Sequence, residues 1–109
     1  MGKHIDMLTD LIHALPDEWH DVSSMFVALG DEQRQRILLT FEPGERLKVT
    51  QIVSASTLSR TTVSHHLKIL RQAGALQSEK IVKEVYFWID KKHIAETLQR
   101  VLNYVQRNT

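Results

Sequence analysis

The fifteen residues from Ser59 to Ala73, SRTTVSHHLKILRQA, constrain the fold more than any other stretch of the chain. Ser59 is of the type that caps a helix N-terminus, and Val63, Leu67 and Leu70 recur at i, i+4 and i+7, the spacing of one helical face. That face is expected to pack inward. On the other side Arg60, Thr61, Thr62, Ser64, His65 and Lys68 supply hydrogen-bond donors, acceptors and positive charge within two turns. Such a mixture suits base edges and phosphates together, whereas a solvated face of an ordinary helical protein is the plainer alternative. Gly74 is placed to close the helix as its C′ residue.

The neighbours of this helix favour the first reading. Val49 to Ser56, with Ile52, Val53 and Ala55, reads as a short helix separated from it by only a tight turn, which is the pattern of a helix-turn-helix. Beyond Gly74 the period changes: residues 75–81 and 84–89 are rich in β-branched and aromatic types and read as a β-hairpin in the position of a wing. No Gly, Asn, Asp or Pro lies between Ala75 and Ile89 to supply a positive φ, so a loop longer than two residues is expected around Ile81 to Lys83. Lys80 and Lys83 are the expected phosphate contacts of the wing, with lysine protection of a strand edge as the rival. Trp19, Tyr86, Phe87 and Trp88 are assigned to the core rather than to base stacking. Ile81 and Val82 fit either an apolar minor-groove wedge or packing under the loop, and the sequence leaves them unassigned.

Upstream, residues 5–14 read as an amphipathic helix ended by Pro16, and a second helix runs from near Asp17 through Val22, Met25, Phe26 and Leu29 to Gly30. Asp31 is the expected N-cap of a third, with Ile37, Leu38 and Phe41 inward, stopped by Pro43 and Gly44. A final helix spans Asp90 to Gln106. Its stripe of Ile94, Leu98, Val101, Leu102 and Val105 exceeds what so small a core needs, so Ile5, Leu8, Ile12, Ile94, Leu98, Val101 and Val105 are expected at a homodimer seam. The fold class expected is mainly α with a small β-hairpin, a single winged helix-turn-helix domain over residues 1–109.

Composition bounds the function. With 109 residues one modest core is available, and with no cysteine there are neither disulfides nor thiolate metal sites. The net charge of +1 conceals a gradient: residues 1–58 carry −4, residues 59–93 carry +4 and the remainder +1. Positive charge thus collects around the groove-type helix, the footprint of a nucleic-acid binder. Asp6, Asp10 and His13 interrupt the N-terminal apolar run, so no membrane partner and a cytoplasmic location are expected. A glycine-rich phosphate loop, an HExxH run and a cysteine nucleophile are all absent, so no enzyme is expected.

In element order and in the wording of two motifs, Leu58 to Leu76 and Ala28 to Leu38 (ALGDEQRQRIL), the chain resembles the ArsR/SmtB winged helix-turn-helix transcriptional repressors. The resemblance runs through Val85, Tyr86 and Phe87 to the last helix, over residues 26–106. It implies a cytoplasmic dimeric repressor that leaves its operator when an inducer binds, and the two-fold symmetry of such a dimer predicts an inverted-repeat operator in double-stranded DNA. The family's thiolate positions correspond to Lys48 and Thr50, and its zinc or nickel positions to Lys91, His93, Tyr104 and Arg107, of which only His93 is a ligand type. No cofactor is therefore expected. His93 and Glu96 form the one ligand-like pair at helical spacing, two groups short of a site, and His4, His13 and His20 share no helical face. A histidine-based metal sensor and a winged-helix protein-interaction module remain as alternatives.

Overall fold

A computed structural model describes residues 14–108, so the expected first helix, with Ile5, Leu8 and Ile12, lies outside the described residues. A single 3-10 turn at Asp17–Trp19 leads into α1 (His20–Leu29), and α2 (Glu32–Leu39) follows. Next come β1 (Leu47–Lys48), α3 (Val49–Ser54) and α4 (Arg60–Gln72). The hairpin β2 (Leu76–Ile81) and β3 (Glu84–Ile89) precedes the long α5 (Lys91–Asn108).

Local chemistry sets these boundaries. Asp31 Oδ1 accepts the backbone N–H of Arg34 at 3.0 Å and so caps α2, while Asp90 Oδ1 accepts that of His93 at 3.0 Å and caps the start of α5. The backbone N–H of Arg34 holds the Asp31 carboxyl below the usual carboxylate range. The His93 N–H, then the Gln77 amide, do the same for Asp90. At the far end of α4 the N–H of Ala75 reaches the Leu70 carbonyl at 2.9 Å and that of Gly74 reaches Arg71 at 3.0 Å. This pair of bonds is a Schellman motif, and it needs the positive φ of Gly74, +83°.

The core gathers where α4 crosses the other helices. Val63, Leu67 and Leu70 are fully buried with Met25, Ile52 and Leu76, and Ala28, Ile37, Phe41 and Phe87 complete the cluster. Leu38 is only half-buried at its edge. Helix α4 is thereby mounted rigidly, with its inward stripe as the axle of the fold.

Three features differ from the sequence reading. The sheet has three strands, not two, in the order β1-β3-β2, because Leu47 and Lys48 pair antiparallel with Phe87 and Tyr86. The wing tip is a two-residue turn, Val82 and Lys83, closed by the pair Ile81 and Glu84; Val82 supplies the positive φ, +57°, that no glycine was present to supply. Of the aromatic residues assigned to the core, only Phe87 is buried. Successive strand residues point to opposite faces, so Tyr86 and Trp88 lie on the outer side, half-buried. There the Arg46 guanidinium stacks 3.9 Å from the Trp88 ring centroid and pairs with Glu79 at 2.9 Å. Trp19 is likewise only half-buried, its ring set edge-on to Tyr104 with centroids 5.4 Å apart.

Candidate nucleic-acid interface

Ser59 starts α4 as the sequence predicts: its Oγ accepts the backbone N–H of Thr62 at 3.2 Å. With about 100° per residue, Arg60, Thr61, Ser64, His65 and Lys68 then fall within an arc of about 140°. All five are exposed, and the arc adjoins the buried stripe on one side, with Arg60 next to Leu67, and turns away from it towards His65. Thr62 is elsewhere. It lies about 200° round from Arg60, half-buried, and its hydroxyl accepts from Ser59 Oγ at 2.9 Å, so it serves the cap. Arg71 joins the polar arc, which sequence reasoning missed although it sits three residues beyond Lys68; its Nε donates to Ser78 Oγ on β2 at 2.6 Å. That bond ties the helix to the wing. Lys80 and Lys83 are both exposed on the hairpin, which continues directly from α4 through the Gly74 turn.

His65 and His66 part company as their 100° separation requires. His65 is exposed on the polar arc, whereas His66 is buried against α2. Its Nε2 lies 2.9 Å from Gln33 Oε1 and its Nδ1 lies 3.4 Å from Arg34 Nη1. A guanidinium only donates, so Nδ1 must accept and the ring is the neutral tautomer donating from Nε2 to Gln33. Burial holds His66 below the ordinary histidine range; Asp31 opposes this, and Arg34 and His65 add to it.

The consequence is an acid-sensitive mount for α4. The unfolded chain takes up this proton near pH 6.5, the folded chain only at lower pH, so the unfolded state binds more protons within that window and stability is lost as pH falls below about 6.5. Thermal melts between pH 7.5 and 5 are expected to show this decline, and His66→Gln should flatten it. An equal pH slope in the variant would contradict the assignment.

The side chains at the positions that the resemblance assigns to metal do not suit a divalent ion. Among the described residues no group of three or more His, Asp or Glu side chains is gathered as a ligand set. The His93 ring packs over Gly74, the Tyr104 ring is engaged with Trp19, and Lys91 and Arg107 are exposed cations. Glu96 instead faces Lys92, with 4.0 Å between the charges. A divalent ion would meet positive charge and a phenol where it needs carboxylate and imidazole.

Residues 31–78, from the α2 cap to the middle of β2, match the family described as bacterial regulatory protein, arsR family. The cadmium resistance transcriptional regulatory protein CadC of Listeria innocua is 32% identical, over 76% of this chain and 70% of that protein. The chain belongs to the ArsR family. It is thus a DNA-binding transcriptional regulator, and it spans about two thirds of the length of the curated cadmium-resistance regulators it matches. Two solved structures share the fold. An ArsR-like transcriptional regulator from Rhodococcus sp. RHA1 superposes with TM-score 0.70 at 24% identity, covering 85% of this chain and 90% of that one. The homodimeric winged helix-turn-helix domain Mb0332 from Mycobacterium bovis gives 0.62 at 23%, covering 82% and 84%.

The structure gives the second ArsR-type motif, Ala28 to Leu38, a physical task. Arg34 Nε donates to the Ala28 carbonyl at 2.8 Å and Nη2 to that of Val27 at 2.9 Å, closing the otherwise unsatisfied end of α1. Gln35 reaches the Leu29 carbonyl at 2.6 Å. Asp31 caps the next helix, and Arg34 faces His66 of α4. One arginine thus joins three helices behind the polar arc. Among the described residues no helix is long and apolar enough to cross a membrane.

Proposed function

We propose that this ArsR-family chain is a homodimeric repressor, one winged helix-turn-helix domain per subunit, in which α4 of each subunit reads the major groove. The observation that carries this reading is the exposed arc of Arg60, Thr61, Ser64, His65 and Lys68 backed by fully buried Val63, Leu67 and Leu70. A polar face on so rigid a mount presents its donors in a fixed register, which base readout requires. Lys80 and Lys83 take phosphates beside the groove, and Thr62 contributes through the cap that orients the first turn. Repression follows from occlusion of a promoter in the cytoplasm. An inducer releases the operator by binding one dimer geometry better than the other.

The dimer is supported by shape and by exposed apolar surface. The radius of gyration is 17.3 Å, against about 13 Å for a compact chain of this length. Leu98, Leu102 and Val105 on α5 are 38%, 47% and 46% exposed, and Phe26 and Val27 on α1 are exposed as well. Val101 is half-buried beside them. Ile94, at the head of the same stripe, is half-buried and also packs against the core of its own chain. Arg100 fixes α5 against the 3-10 turn and α1 through Asp21 and the Glu18 carbonyl.

Selection of duplexes from a random pool tests this reading. The expected product is an inverted repeat with half-sites about 10 base pairs apart, centre to centre. A Leu98→Glu, Val105→Glu variant should sediment as a monomer and bind that operator at least tenfold more weakly. Enrichment of a single half-site, or a monomeric wild type, would contradict the dimeric reading.

A further inference from the structure

Val82 is the one non-glycine residue among those described with a positive φ, +57°, and its side chain is 87% exposed. The left-handed region is disfavoured for every L residue and most for a β-branched one, because Cβ crowds the following carbonyl oxygen. Packing does not offset that strain, since a side chain so exposed touches little. Beside it Ile81 is 45% exposed, and Lys80 and Lys83 flank the pair. Glu84, paired with Ile81, is the acid of the tip, so residues 80–84 carry a net charge of +1. Glycine or asparagine would serve a turn of this shape with less strain. Strain and exposure together at one apolar residue leave Val82 without a packing role inside the chain.

We propose that Ile81 and Val82 form an apolar wedge that enters the minor groove and bends the operator, a reading that rests on the DNA-binding function above. The wing has the reach for it. Strands of six residues span about 20 Å, and the minor groove next to an occupied major groove lies about half a helical turn, roughly 17 Å, away. The two-residue turn makes the tip narrow and holds Val82 outward from the strands. Lys80 and Lys83 then sit beside the phosphates that line the groove, where apolar side chains inserted at a base step unstack it and kink the duplex.

Duplexes of about 30 base pairs selected from a random pool, dye-labelled at both ends, report the bend by energy transfer, with affinity measured on the same molecules. Val82→Gly removes the wedge while tolerating the positive φ, so its melting temperature should be equal to or a few degrees above that of the wild type. Its affinity should fall about tenfold, the scale of burying one valine side chain, and its complex should be straighter. Val82→Leu keeps an apolar tip and should retain the bend and affinity within about threefold. A wild-type complex with straight DNA, or a Val82→Gly complex as bent and as tight as the wild type, overturns the wedge. If the wild type binds selected duplex with steep salt dependence while Val82→Gly matches it, the wedge alone fails. If the wild type binds no duplex, the regulatory reading fails and the wedge with it.

Discussion

An Arg60→Ala, Lys68→Ala double variant is expected to lose operator affinity by about 100-fold or more while melting at the temperature of the wild type. A well-placed arginine on a base pair is worth about 1–3 kcal/mol of discrimination. Each phosphate neutralised adds a salt-dependent increment, so the two losses together reach about 3 kcal/mol, or two decades. The fold has little to lose, because both side chains are exposed on the polar arc and the buried stripe behind them is untouched. The single variants separate their roles. Lys68→Ala should weaken all duplexes about equally, and Arg60→Ala should also relax sequence preference. Unchanged affinity in the double variant would mean that α4 does not face the DNA.

The second large effect is on stability. Gly74 closes α4 at φ +83°, and a Cβ built on it would stand 2.4 Å from Cδ2 and 2.5 Å from Nε2 of His93. Gly74→Ala therefore forces a left-handed alanine, at about 1–2 kcal/mol, and displaces a ring that packs at the junction of α4 and α5. Overpacking of this kind costs a further 1–3 kcal/mol or so, so a total near 3 kcal/mol and a fall in melting temperature of more than about 10 °C are expected. Removing the ring in the same background, with Gly74→Ala, His93→Ala, should recover the steric share and leave the backbone share. Such non-additivity is the sign of direct contact. A Gly74→Ala variant as stable as the wild type would contradict the close packing of His93 on this turn.

What was legible in the sequence is what is fixed locally. Ser59, Asp31 and Asp90 cap helices through bonds to residues three positions on, and the Val63, Leu67 and Leu70 stripe is set by helical period alone. The elements that escaped depend on partners distant in the chain. β1 is two residues long and exists because β3, about forty residues later, offers Phe87 and Tyr86 to pair with. The turn at Val82 has no sequence signature, since composition there argues against a positive φ. Residue type placed Tyr86 and Trp88 in the core, whereas strand alternation about Phe87 turned both outward. Likewise the polar arc was readable from composition and spacing, but Thr62 was drawn into it by residue type although its angle places it on the other side. The Gln33, Arg34 and His66 network, 32 to 33 residues apart in sequence, was beyond any local pattern.

If α4 and the wing hold duplex DNA through a cationic, directional surface, the affinity for a selected duplex must depend steeply on salt. Several phosphate contacts predict a straight, steep fall of log K with log salt, about 0.9 per contact, and a shallower slope for the Arg60→Ala, Lys68→Ala variant. A flat response, or no measurable binding to any duplex at low salt, would contradict it.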